Sequence, residues 1–389
     1  MSDATAPLEV REEQDSLGRG IGVEAEEPGE AQRFQEPFDP DKIDVVTRNP
    51  TVDLLLSRIR SRRIDLEPDF QRRRGIWTDE RQSRLIESLL MRIPLPTLYA
   101  AEEAEETWAI VDGIQRLTTI CRFVAPEAIG ESRLVLSGLE YLGNLYNGKS
   151  YDDLPGRLQT RLRETELVVH LIRRGTPDQA KFNIFARINT LGLPLSTQEL
   201  RHALIPGPAR NLLRSWADSA EFIEATGGSV RGERMADREM VLRFIAFRLT
   251  PPEDYSAQDF DEFLRQAMRR LNTLSNEHTE RLWTEFSNAM RGAQMIFDDQ
   301  AFRKLYLNSG RRSPINKAIF ESVAVNLATL TGSEIRTLVR HKDSVRQELS
   351  RLMTDVAFDR SVSQGTGDVA KVRLRFAAIG RIFREVLHD

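Results

Sequence analysis

The run Trp108-Ala-Ile-Val-Asp112-Gly113-Ile-Gln115-Arg116-Leu-Thr-Thr-Ile-Cys-Arg-Phe123 constrains this chain more than any other segment. Its apolar start reads as a strand, Asp-Gly as a tight turn, and the mixed period that follows as a helix opening with polar side chains. A helix that begins directly after such a turn gathers unpaired N–H groups and a partial positive charge at one spot, the elements of an anion or phosphate site. Arg116 would add a bidentate fork for a phosphate, and Asp112 could hold a divalent cation. Asp-Gly also marks ordinary turns, so the run has a purely structural reading as well.

Two further segments bear on that choice. Phe70-Gln71-Arg72-Arg73-Arg74-Gly-Ile-Trp77-Thr78 sets three consecutive arginines between aromatic residues. Neighbouring side chains cannot all face one way, so one or two of them converge on any ligand. Phe185-Ala-Arg187-Ile-Asn189-Thr-Leu-Gly192-Leu-Pro-Leu-Ser196-Thr-Gln-Glu199-Leu-Arg201-His-Ala-Leu204 reads as a helix end, a tight connection and a new helix opened by a Ser196/Glu199 capping box. Arg187, Asn189, Glu199 and Arg201 flank that connection and form a natural rim for a site. Asn189 also has a structural reading, because Asn tolerates the left-handed conformation at helix ends.

In this order the three motifs resemble the N-terminal domain of GmrSD-type restriction endonucleases, a relative of the ParB and sulfiredoxin folds. The resemblance covers residues 42–204 well and the remainder loosely. It implies an α+β chain: a ParB-like mixed α/β domain followed by an all-helical C-terminal domain. It also implies the nucleotide-sensing module of a prokaryotic restriction or phage-defence system, binding a nucleoside triphosphate with Mg2+. By resemblance Arg72 is the first choice among the arginines after Phe-Gln and Arg73 the second, and Arg187 and Asn189 lie beside the nucleotide site. Asp112, Gln115 and Arg116 become the catalytic candidates, with Asp112 near the metal, Gln115 polarising water or holding phosphate, and Gly113 allowing close approach. Positioning and charge neutralisation would carry the mechanism of a Mg2+-dependent NTPase.

The chain departs from the family pattern at the signature itself, where Asp-Gly-Gln-Gln-Arg is usual and Ile114 replaces the first glutamine. The side chain of isoleucine cannot hydrogen-bond a phosphate or water, so this departure is expected to slow hydrolysis more than it weakens ligand recognition. The His-Asn-His nuclease domain of longer members needs paired histidines. Here His170, His202, His278, His341 and His388 fall at no ligand spacing, and His170, in an apolar strand, reads as a satisfied core residue. Intrinsic nuclease activity is therefore the weaker expectation. The competing class is a ParB-like DNA-binding or protein-interaction module without catalysis, with a DNA endonuclease component as a third reading. Expected partners are DNA or a separately encoded nuclease, and an oligomer is compatible with the sequence.

Composition fits without deciding. The chain has 389 residues, room for two sizeable cores, and a formal charge of −4. Residues 1–40 hold eleven acids against three arginines, a charge of −8 that leaves +4 for the rest. Such a polar segment with few large apolar residues is expected to be a disordered acidic tail, able to shield a basic face. Residues 41–205 form the first domain and 206–389 the helical one. The full chain's 48 arginines against seven lysines suit phosphate binding and equally a GC-rich genome. The single cysteine, Cys121, excludes a disulfide framework and a thiolate cluster. No run is apolar enough for a membrane span, so no membrane partner and a cytoplasmic location are expected.

Periodicity predicts strands at 43–47, 64–66, 97–101, up to Val111, and 166–172, with helices at 51–62, after Thr78, after Pro155 and after Thr176. Arg58, Arg60, Arg62 and Arg63 read as a solvated face, with phosphate contact as the alternative. Beyond Ile205, helices are predicted near 209–224, 234–249, 257–274, 277–298, 315–330, 343–357 and 369–387. Gln364-Gly-Thr366-Gly367 ahead of Lys371, Arg373 and Arg375 reads as a helix start, with a phosphate loop as the alternative.

Overall fold

The computed structural model describes residues 10–15, 18–27, 39–66, 77–103, 106–188, 195–257, 259–306 and 312–388. The chain is α+β and divides into two compact units, Pro37–Leu204 and Ile205–Asp389 together with Met1–Glu36. No helix among the described residues is long and apolar enough to cross a membrane.

In chain order the strands are β1 Glu12–Gln14, β2 Gly20–Glu24, β3 Val45–Arg48, β4 Ile64–Asp65, β5 Leu98–Glu102, β6 Trp108–Asp112 and β7 Val169–Ile172. The last five make the mixed sheet of the α/β unit in the order β3-β7-β5-β6-β4. β5 is central, parallel to β7 and antiparallel to β6. Its helices are α1 Val52–Arg60, α2 Asp79–Leu90, α3 Ile114–Val124, α4 Gly143–Tyr146, α5 Gly156–Glu164, α6 Asp178–Ile188 and α7 Thr197–Leu204. Thr51 and Thr78 cap α1 and α2 by accepting from the amides of Leu54 and Arg81. Val52, Leu55, Leu56 and Ile59 of α1 meet Leu117, Ile120 and Cys121 of α3 in one apolar layer. Cys121 is fully buried there, which pushes its thiol up to about 12 and leaves it inert.

The arginines of α1 and of the segment that follows it have local partners. Arg58 lies 4.3 Å over the Trp108 ring, Arg60 pairs with Glu127 at 2.9 Å, and Arg63 approaches Glu106 at 3.9 Å. Glu87 of α2 accepts from the amides of Glu140, Tyr141 and Leu142 at 3.0, 2.7 and 2.7 Å, fixing the loop before α4. Burial pushes this carboxyl up, yet the three amides outweigh it and hold it below its ordinary range.

The helical unit comprises α8 Pro208–Ala217, α9 Ala220–Ala225, α10 Ala236–Leu249, α11 Phe260–Leu271, α12 Asn276–Phe297, α13 Lys317–Ala328, α14 Gly332–Arg340, α15 Lys342–Leu352, α16 Val356–Ser363 and α17 Val369–His388. The helix predicted near 209–224 is two, because Ser219 caps a fresh start by accepting from Phe222 N–H. A predicted 343–357 helix is likewise split, with Asp355 capping α16. α10 is buried on nearly all sides and forms the centre of the unit.

The acidic segment requires a correction. The expectation of a disordered tail over 1–40 does not hold for residues 10–15 and 18–27, where β1 and β2 form an antiparallel hairpin. Ile21 and Val23 are fully buried, and β2 joins the helical unit through Glu24 N–H to Ile315 carbonyl (2.7 Å) and Ile315 N–H to Gly22 carbonyl (2.9 Å). Its acids meet specific cations: Glu13–Lys317 at 2.7 Å, Glu24–Lys304 at 3.0 Å and Glu26–Arg243 at 2.5 Å. Composition argued for disorder because it does not register partners some 300 residues away.

The Gln364–Gly367 stretch leads into α17. Thr366 donates to Glu26 at 2.8 Å, Lys371 reaches the Gln364 carbonyl at 2.5 Å, and Arg375 is buried against Glu321. These contacts tie the stretch to Glu26 and to the interior of the helical unit.

Candidate functional site

The strand, turn and helix foreseen around Asp112 are in place. β6 ends at Asp112, Gly113 takes the left-handed conformation at φ 94°, and α3 follows. A Cβ on Gly113 would lie 2.1 Å from Leu98 Cδ2, so both backbone conformation and space demand glycine. The first helical bond runs from Leu117 N–H to the Gly113 carbonyl at 3.0 Å, so the N–H groups of Ile114, Gln115 and Arg116 precede it.

Arg116 is held more firmly than a fork awaiting a ligand would be. Its side chain is only 10% exposed and pairs with Asp112 Oδ2 at 2.8 Å, one helical turn away. Nη1 donates to the carbonyls of Pro96 and Thr97, the latter at 3.2 Å. The guanidinium thus clamps the turn to the approach into β5 and keeps only part of its five-donor capacity for anything else. Asp112 is 41% exposed, and its Oδ1 makes no hydrogen bond among the described residues. Gln115 is part-exposed with no side-chain hydrogen bond among them. Ile114, the departure from the family pattern, is 7% exposed and serves the apolar underside of α3.

A β-bulge shapes what lies beside Asp112. Tyr99 pairs with Asp112 and Ala100 with Ile110, leaving Val111 as the extra residue that re-aims the carboxylate. On the other side of β5 Tyr99 pairs with His170, which in turn pairs with Thr47 of β3. Directly opposed residues share a face, so Thr47, His170, Tyr99 and Asp112 form one row across four strands. His170 is a correction: it is part-exposed, with Nδ1 3.0 Å from Thr47 Oγ1 and its ring centroid 5.3 Å from that of Tyr99. The sequence carried a faint trace of this row, because Tyr99 and His170 are each the second residue of a strand and have apolar residues on both sides. Only the register shows that they are neighbours.

The third motif is partly placed. Ser196 Oγ accepts from Glu199 N–H at 3.1 Å and Glu199 Oε2 from Ser196 N–H at 2.6 Å, the reciprocal capping box that opens α7. α7 packs against β6, the strand that carries Asp112. Glu199 and Arg201 are buried, Arg201 donating to Gln198 Oε1 at 2.8 Å, so they brace this helix from within. Arg187 is exposed near the end of α6. Asn189, Arg72 and Arg73 lie outside the described residues. The structure therefore brings Asp112, Gly113, Gln115 and Arg116 together and adds Tyr99 and His170. Among the described residues no three His, Cys, Asp or Glu side chains gather as a metal cage.

Residues 53–206 match the family model described as GmrSD restriction endonuclease, N-terminal domain. No curated protein and no solved structure matches the chain.

Proposed function

Residues 53–206 form a domain of the GmrSD N-terminal family, a restriction- and defence-related module, and from this premise we propose that the Asp112–Arg116 turn binds a nucleoside triphosphate with Mg2+ and relays its state to DNA or to a separately encoded nuclease. The observation that carries the reading is the divided use of Asp112: Oδ2 is committed to Arg116, while Oδ1 makes no hydrogen bond among the described residues and the residue sits one glycine ahead of the three leading amides of α3. A single exposed carboxylate suits Mg2+, which is commonly held by one or two carboxylates plus substrate phosphates. The ion would neutralise phosphate charge when bound. Arg116 would contribute its remaining donors at the rim, the Ile114 and Gln115 amides would receive a phosphate oxygen, and Arg72, Arg73, Arg187 and Asn189 stay candidates for further contacts.

Gln115 is the remaining residue of the signature that can orient water or hold a phosphate, because Ile114 is committed to the core. Binding is accordingly the firmer half of the proposal and slow hydrolysis the second. Mg2+-dependent binding and phosphate release for the four ribonucleoside triphosphates, with Arg116→Ala alongside wild type, test it. Saturable binding that Arg116→Ala weakens by about tenfold or more, the worth of a hydrogen bond to a charged group, supports the proposal. No binding to any triphosphate by folded wild-type protein overturns it in favour of DNA or protein recognition, for which salt-sensitive DNA retention without triphosphate would be the sign.

A further inference from the structure

We propose that Tyr99 and His170 form the shelf on which an aromatic base stacks, so that the ligand of the Asp112 turn is a purine nucleotide held by ring and phosphate together. This rests on the nucleotide reading of the turn and adds to it the part that distinguishes a nucleoside from a bare polyphosphate. Tyr99 is the direct cross-strand partner of Asp112 and His170 the next residue along the same row. One and two strand spacings are roughly 5 and 10 Å, so an aromatic surface begins within a nucleotide's length of the leading α3 amides.

Both rings are part-exposed, and neither Tyr99 Oη nor His170 Nε2 makes a hydrogen bond among the described residues. Each ring is nevertheless held in place. Thr47 Oγ1 fixes the imidazole through Nδ1 at 3.0 Å, and the two rings lie tilted at 44° with centroids 5.3 Å apart. Arg116 sets the start of β5 through the carbonyls of Pro96 and Thr97, three and two residues before Tyr99. The clamp that shapes the phosphate end thereby fixes the base end too. Pairs of aromatic side chains beside a cationic anion site are the usual means of holding a base by its π-face, and a larger ring stacks more strongly.

The experiment compares Mg2+-dependent binding of ATP, GTP, CTP, UTP and inorganic tripolyphosphate to wild type, Tyr99→Leu, Tyr99→Phe, His170→Ala and Arg116→Ala. Leucine keeps apolar bulk and removes the π-face, so Tyr99→Leu is expected to lose about tenfold in affinity for the purine triphosphates, the effect of one stacked base, and nothing for tripolyphosphate. Tyr99→Phe should retain wild-type affinity, and wild type should prefer purine over pyrimidine. Should Tyr99→Leu not fold, His170→Ala carries the same contrast at a more peripheral ring. Unchanged nucleotide affinity in the ring variants, with tripolyphosphate binding still weakened by Arg116→Ala, overturns the shelf and leaves the phosphate site standing. A wild-type protein that binds neither nucleotides nor tripolyphosphate overturns both.

Discussion

The best-defined buried charges of the two units differ in their partners. In the α/β unit Glu87 is tied to three backbone amides, and Arg116 to two carbonyls as well as to Asp112. In the helical unit Arg303 is likewise tied to backbone carbonyls, but a larger cluster is tied side chain to side chain. Arg243 meets Glu26 at 2.5 Å, Glu239 at 2.8 Å and Glu321 at 3.6 Å, Arg375 meets Glu321 again, and Lys317 meets Glu13 and Glu239. Within the network the carboxyls diverge: burial raises Glu321 despite Arg375 and Arg243, while Arg243 holds Glu26 low against its burial, and in the α/β unit the amides lower Glu87. A side-chain network of this kind spends its polar capacity largely on itself. A charge anchored to backbone fixes a loop, as Glu87 does, whereas Asp112 meets Arg116 through Oδ2 alone and its Oδ1 makes no hydrogen bond among the described residues.

The comparison breaks most sharply at Glu321. Replacing it with alanine leaves Arg375 and Arg243 buried without this partner, and loss of one partner from a buried pair costs about 3–5 kcal/mol. Chemical denaturation should register that loss, while nucleotide affinity of the folded fraction should not move. Retained stability would show that the network relaxes around the gap.

Gly113→Ala should act on both properties at once. Positive φ alone costs about 1–3 kcal/mol, and the Leu98 methyl must also shift. Affinity for triphosphate should fall further than stability does. Equal affinity in folded variant and wild type would make the turn a merely structural element.

Glu87→Gln gives the smallest and most pH-specific effect. A carboxyl lowered in the folded state contributes stability that is present above its ordinary value of 4.5 and lost as pH falls through the folded value. Wild type should therefore lose stability over that acidic interval, while Glu87→Gln starts lower by about 1–3 kcal/mol, the cost of weakened amide contacts, and stays flatter. Parallel acid profiles would remove Glu87 as the anchor of the loop.

Local chemistry made much of this legible. The Thr51, Thr78 and Ser196 caps, the strand-turn-helix at Asp112 and the helical character beyond Ile205 follow from residues a few positions apart. What escaped was non-local. The β1–β2 hairpin depends on Lys304, Lys317 and Arg243, and Tyr99 meets Asp112 only through a bulged register that no local pattern encodes. Arg116 was legible as a residue of the turn and not as a clamp, because its carbonyl partners lie about twenty positions upstream. His170 read as core since its strand is apolar, while its register partner Thr47 is exposed.

The most direct test of the central claim is the Mg2+ dependence of triphosphate binding in wild type and Asp112→Asn. Asparagine keeps the shape of the turn and an acceptor for Arg116 but removes the charge that a cation would meet. Wild type should gain affinity as Mg2+ is raised, and the variant should lose that gain while retaining Mg2+-free anion binding through Arg116 and the α3 amides. Identical Mg2+ dependence in the two proteins would contradict the assignment of Asp112 to the metal and with it the account of this turn.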